Sequence, residues 1–154
     1  MKAVLQRVKY ASVSVDGEVI GECREGLLIL LGVAEGDAEE DARLLCAKIL
    51  KLRIFCDENG KMNLSLLDIG GELLIVSQFT LLADYRHGNR PDFLASAKPS
   101  EAKRLYEYFI SLAKESVKNV GTGSFGADMQ VSLLNDGPVT IVMDSKMLGK
   151  GKAQ

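Results

Sequence analysis

The sequence predicts a mixed α/β domain with largely antiparallel β-sheet, a barrel-like core and two main helices. Three observations carry that expectation. Asp16-Gly17 lies between two alternating segments and is a strong hairpin signal, because both central positions of a type I′ turn take positive φ. Two longer stretches repeat apolar residues at helical spacing with charges between them. Hairpins rather than a regular strand–helix alternation separate the strand-like segments, which argues against a simple parallel sheet.

Taken in order, residues 4–8 and 11–15 alternate in character and read as strands, with 18–23 as the returning strand. Gly26 then precedes the nearly continuous apolar run 27–33, the pattern of a strand buried on both faces. Asp37 and Glu40 have the spacing of a helix start, and Ala38, Ala42, Leu45, Ile49 and Leu52 form the stripe that follows. A short strand is expected at 54–56, ended by the turn Asp57-Glu58-Asn59-Gly60. After Gly70-Gly71, 72–82 is the most strand-like stretch in the middle of the chain. Residues 85–97 show no periodicity and read as a surface loop. Pro99 suits the first turn of a second helix, whose stripe is Leu105, Tyr108, Phe109, Leu112 and Val117. The glycine-rich 121–126 leads to two more expected strands, 129–134 and 139–144, joined by Asn135-Asp136-Gly137-Pro138. Two readings of that joint stand: a tight hairpin turn, or a turn displayed to a ligand with its carbonyls as the working groups. Residues 1–145 are expected to form one domain and 146–154 a mobile tail.

The chain has 154 residues, enough for one domain that buries about 70% of its unfolded surface. Its net charge of −2 gives no basic field, which argues against tight, sequence-independent binding of long duplexes. Contact with a nucleic-acid end remains compatible, since few phosphates then need neutralising. Cys23, Cys46 and Cys56 are odd in number and make no C-x-x-C pair, so neither a disulfide framework nor a zinc site is expected. The polar start Met1-Lys2-Ala3-Val4-Leu5-Gln6-Arg7 does not read as a signal peptide, and no apolar run reaches membrane-spanning length. The expectation is a cytoplasmic domain without metal or cofactor.

Few residues offer side-chain chemistry. The single His87 sits in a polar loop without a G-x-S-x-G elbow nearby and reads as a solvated side chain. Gly121-Thr122-Gly123-Ser124-Phe125-Gly126 superficially resembles a phosphate cradle, but a helix precedes it and a strand follows, the reverse of a dinucleotide fingerprint. Phe125 there is either a base-facing aromatic or a core residue. Ser77-Gln78-Phe79-Thr80-Leu81 places polar residues at the end of an apolar strand. It either faces solvent or turns backbone amides toward a developing oxyanion. Thr80 as a nucleophile would need an activating base, and none is evident.

Ser77-Gln78-Phe79-Thr80-Leu81 together with Asn135-Asp136-Gly137-Pro138-Val139-Thr140 resembles the paired signature of the D-aminoacyl-tRNA deacylases. The likeness continues through Ala3-Val4-Leu5-Gln6-Arg7-Val8, Gly88-Asn89-Arg90-Pro91-Asp92-Phe93 and Thr122-Gly123-Ser124-Phe125-Gly126-Ala127-Asp128-Met129, and covers residues 1–144. The resemblance implies that family's fold and a homodimer with active sites at the subunit interface. It implies hydrolysis of the ester between a D-amino acid and the 3′ end of tRNA, with glycyl-tRNA also accepted and L-aminoacyl-tRNA rejected. Its partner is the aminoacylated tRNA end, with no DNA and no membrane. Carried onto this chain, Gly137 and Pro138, joined by a cis peptide, are the chirality filter that reaches into the partner's site, and Arg7 holds that loop. Phe79 and Thr80 supply amides to the ester carbonyl, Ser77 and Gln78 line the adenosine side, and Phe125 and Met129 lie near the base and the ammonium pocket. With no side-chain base in view, catalysis assisted by the tRNA 2′-hydroxyl is favoured. A non-catalytic RNA-end or small-ligand binding module and a Thr80-dependent esterase are the alternatives.

Overall fold

The structure is a computed structural model that describes residues 1–149. Strand β1 (Lys2–Val15) is the axis of the sheet. On one edge its first half pairs antiparallel with β3 (Gly26–Gly32) and its second half with β2 (Glu18–Cys23). The segments 4–8 and 11–15 are thus one continuous strand. β3 next pairs in parallel with β6 (Glu72–Ser77), and β6 with β7 (Val120–Thr122). β7 then returns close to β2. A Cβ added at Gly121 would lie 2.5 Å from the carbonyl oxygen of Glu22, so the approach of the two strands requires glycine there. The sheet is therefore nearly closed into a barrel.

The two parallel pairings are made by crossovers that carry the main helices, α1 (Glu39–Lys51) and α3 (Pro99–Ser116). Both pack on the outer face of the sheet. Leu27, Ile29 and Leu31 of β3 and Leu73 and Ile75 of β6 point toward them. Leu28, Leu74 and Val76 point the other way, into a smaller core with Val8, Val13 and Cys23. This two-sided burial is why 27–33 carries no polar alternation.

Several boundaries differ from the sequence reading. α1 begins one residue late: Ala38 stands at the cap and its amide donates to Asp41 Oδ2 at 2.9 Å. Asp37 is occupied elsewhere, accepting the Ala34 amide at 2.7 Å and pairing with the Met1 ammonium at 2.8 Å. Strand β4 (Phe55–Cys56) is as short as expected, but it pairs with β5 (Met62–Leu64), and the short helix α2 (Leu66–Ile69) follows. β6 stops at Ser77; Phe79–Leu82 coil into a 3-10 turn that buries Leu82, so the apolar pattern to residue 82 serves the core without continuing the strand.

The largest difference lies at 135–138. Residues Gln130–Asp144 form one strand, β8, that runs antiparallel along the free edge of β1 for its whole length. Gln6 pairs with Thr140 and Val8 with Asn135, so β1 advances two residues where β8 advances five, and three residues of β8 bulge out. No hairpin is present, because both flanks pair with the same neighbour. At the start of the expected tail, Ser145–Met147 form a 3-10 turn that begins with the buried Ser145, the last residue of the expected domain, while residues 150–154 lie outside the described residues. Among the described residues no helix is long and apolar enough to cross a membrane.

Candidate active site

A cleft of about 450 Å³ opens at the carboxyl ends of the parallel strands β6 and β7, beside the first turn of α3. That is where open parallel arrangements ordinarily leave a crevice. Ser77, Gln78, Phe79, Phe125 and Met129 all line it. Its wall is apolar, and none of its lining residues carries a titratable side chain.

The chain turn at the cleft sets out backbone donors. The Gln78 amide makes the last rung to β3, donating to the Leu31 carbonyl at 2.8 Å. The chain then coils, with Leu81 N–H donating to Gln78 O at 3.3 Å and Ala83 N–H to Thr80 O at 3.1 Å. The amides of Phe79 and Thr80 open this turn and have no carbonyl behind them. Neither donates a hydrogen bond among the described residues. Thr80 is exposed, and its hydroxyl oxygen accepts from Gln78 Nε2 at 2.5 Å. Phe125 lies against Tyr106, ring centroids 5.9 Å apart, and the Tyr106 hydroxyl donates to the Ile75 carbonyl at 2.8 Å. Burial pushes the Tyr106 phenol up to about 12, so it stays a neutral donor.

The other named residues form a second cluster. The Gly137-Pro138 peptide is cis, and Gly137 has φ +131°. A Cβ placed on Gly137 would lie 2.9 Å from Val139 Cγ2 and 3.0 Å from Arg7 Nη2. Arg7 Nε donates to the Asp136 carbonyl at 3.0 Å, and Nη1 donates to the Ile54 carbonyl at 2.7 Å. Asn135 clasps the bulge from within: its Oδ1 accepts from Val139 N–H at 3.2 Å and its Nδ2 donates to Thr140 Oγ1 at 3.0 Å. Val131 lines the cleft, and five residues of β8, the last of them entering the bulge, separate it from Gly137, which is not among the lining residues; fully extended they would span at most about 20 Å. Within one chain the cleft and the bulge are therefore distinct places.

Against known proteins, the family model described as D-Tyr-tRNA(Tyr) deacylase matches residues 4–144. The chain belongs to the D-Tyr-tRNA(Tyr) deacylase family. The D-aminoacyl-tRNA deacylase of Thermosipho africanus (strain TCF52B) is 60% identical over 146 residues, spanning 95% of this chain and 98% of its own. A solved structure of "c-Myc DNA Unwinding Element Binding Protein" has TM-score 0.89 and 41% identity, covering 94% of this chain and 98% of that one. A structure described as a "probable eukaryotic D-amino acid tRNA deacylase" reaches TM-score 0.80 over 92% of this chain and 97% of its own. At 16% identity it shares the fold alone.

Beyond the residues that carry the deacylase family resemblance, the structure adds supports that the sequence reading did not single out. Tyr106 ties the carboxyl end of β6 to α3, and Asn135 and the Ile54 carbonyl brace the bulge. Only Asn135 stood inside a quoted stretch, and its side-chain role depends on the register of β8 against β1. His87 is exposed on the 85–91 loop, and among the described residues no group of three or more His, Cys, Asp or Glu side chains is placed to hold a metal.

Proposed function

We propose that this chain hydrolyses the ester that joins a D-amino acid to the terminal adenosine of tRNA. Family membership carries the reaction class, an ester hydrolase acting on D-aminoacyl-tRNA. The observation that carries the mechanism is the cleft itself: the open amide of Phe79, a lining residue, followed along the chain by that of Thr80, beside an apolar wall with no titratable side chain. Such a site orients an ester and stabilises an oxyanion, and it supplies no base of its own. The proton relay then comes from the substrate: as water attacks the ester carbon, the adjacent ribose 2′-hydroxyl takes up the water proton and passes its own to the departing 3′-oxygen, releasing the free amino acid and the tRNA. Thr80 acts through its backbone, its hydroxyl being held by Gln78.

The handedness filter follows from the second cluster. Main-chain carbonyls of the Gly137-Pro138 segment accept the substrate's α-ammonium; an L side chain is then driven into that backbone, while a D side chain points away. Glycine has no side chain and passes. Lying outside its own cleft, beyond it along β8, the segment serves the cleft of a second copy, so the working enzyme is a homodimer. Arg7 holds the segment by its planar fork of donors.

D-tyrosyl-tRNA and L-tyrosyl-tRNA test the reading directly. Release of D-tyrosine alone is expected, and equal release of both ends the proposal. Thr80→Ala should keep most of the activity and a 2′-deoxy terminal adenosine should be inert. Complete loss in Thr80→Ala with the fold intact would instead select a threonine esterase.

A further inference from the structure

We propose that Tyr85, Phe93 and Leu94, at the lip of the cleft, form a landing surface for the unpaired nucleotides preceding the terminal adenosine, a proposal that rests on the deacylase reading. The lip is continuous with the cleft wall. Phe93 meets Phe79 edge to face, ring centroids 5.0 Å apart, and its carbonyl accepts the Ser96 amide at 3.0 Å; Phe79 and Ser96 both line the cleft. The bridge between Asp84 and Asp92, with reciprocal bonds of 2.8 and 2.9 Å, pinches 85–91 into a loop, so that Tyr85 and Phe93 each stand one residue from the bridge, on opposite strands.

The surface is apolar and tied down by backbone bonds, with Phe93 half-buried between two exposed residues. Leu94 is 87% exposed and Tyr85 77%, values that fit neither a core nor a spacer role. Asp92 Oδ1 accepts the Leu94 amide at 3.1 Å, and the Arg86 guanidinium clamps the Asp84 carboxylate, holding its pKa down to about 2. With Arg86 committed in that way, Arg90 on the same loop and Lys98, four residues after Leu94, are exposed cations close to the lip in sequence.

An RNA whose last residue sits in the cleft and whose chain runs out over the lip brings to it, nucleotide by nucleotide, one flat base and one phosphate. Aromatic faces stack bases of any identity, and nearby cations meet the backbone. The pairing suits a single strand common to many tRNAs, which a cleft reading only the terminal ester cannot grip by itself.

The test compares two esters, D-tyrosyl-tRNA and 3′-(D-tyrosyl)adenosine, in wild type, Tyr85→Ala/Leu94→Asn and Tyr85→Phe. Wild type should show the lower KM on the tRNA ester. The double variant should raise that KM about tenfold, as loss of one stacking platform does. Its kcat/KM on the adenosine ester and its mass in solution should be unchanged, and Tyr85→Phe should behave as wild type. Equal wild-type KM values for the two esters, an unchanged KM in the double variant, or the same loss on both esters would overturn the proposal. A changed mass would overturn it too, marking the lip as a contact between copies. A wild type inert on both esters removes the deacylase reading and this proposal with it.

Discussion

The cleft and the β8 bulge are built by opposite means. At the cleft a strand stops early, and the amides of Phe79 and Thr80 are left open over an apolar wall. At the bulge the Asp136 carbonyl, the Val139 amide and the Asn135 side chain are all taken up, and Arg7 bridges from β1 to the chain at Ile54. One region offers unsatisfied donors; the other offers a fixed shape. The difference teaches what each tolerates: a donor set survives changes of side chain, whereas a protruding backbone depends on every brace around it.

The sharpest way to break the comparison is Gly137→Ala. A Cβ there meets Val139 and Arg7 at a φ that L residues rarely adopt, so the bulge must shift. Deacylation of D-tyrosyl-tRNA should fall about 100-fold, as misplacement of a positioning group does, while circular dichroism shows the fold retained. Arg7→Lys comes next. A lysine cannot reach Asp136 and Ile54 with one planar fork, so activity should fall about tenfold, and denaturant unfolding should show about 1–3 kcal/mol lost because buried acceptors are left unpaired. Asn135→Ala removes only the internal clasp and should cost about 1 kcal/mol by the same measurement. At the cleft, Thr80→Ala with little loss sharpens the contrast from the other side.

The smallest effect concerns pH. Burial raises the thiols of Cys23 and Cys46 from 9.0 to about 11 and the Tyr106 phenol from 10.0 to about 12. Between the ordinary and raised values the folded chain keeps protons that the unfolded chain has lost. Stability is therefore full below pH 9 and falls as pH rises through the window from 9 to 12. Melting temperature measured across that range should drop, and less steeply in Tyr106→Phe, which starts lower for want of its bond to Ile75.

Much of this architecture was legible in the residues. Asp16-Gly17 marked its hairpin, the run 27–33 announced two-sided burial, and Pro99 opened its helix. What stayed hidden depends on partners distant in sequence. Gly137-Pro138 punctuates a turn and a bulge alike, and only the pairing of both flanks with β1 separates the two. Leu81 and Leu82 continue a strand pattern, yet they belong to a coil that closes over the core. Tyr106 and Ile110 lie off the stripe expected for α3 because that helix buries a wider face than one stripe describes. For the site, the resemblance named the residues, but their division between the cleft and a bulge farther along β8 required the strand itself.

The cleft's want of any ionisable lining has a consequence for how the enzyme meets a changing cell. A catalyst that owns its base is switched off when acid titrates that base. On the proposed mechanism, the protons moved during turnover belong to water and the aminoacyl-adenosine, so acidity acts on the cargo and leaves the cleft unaltered.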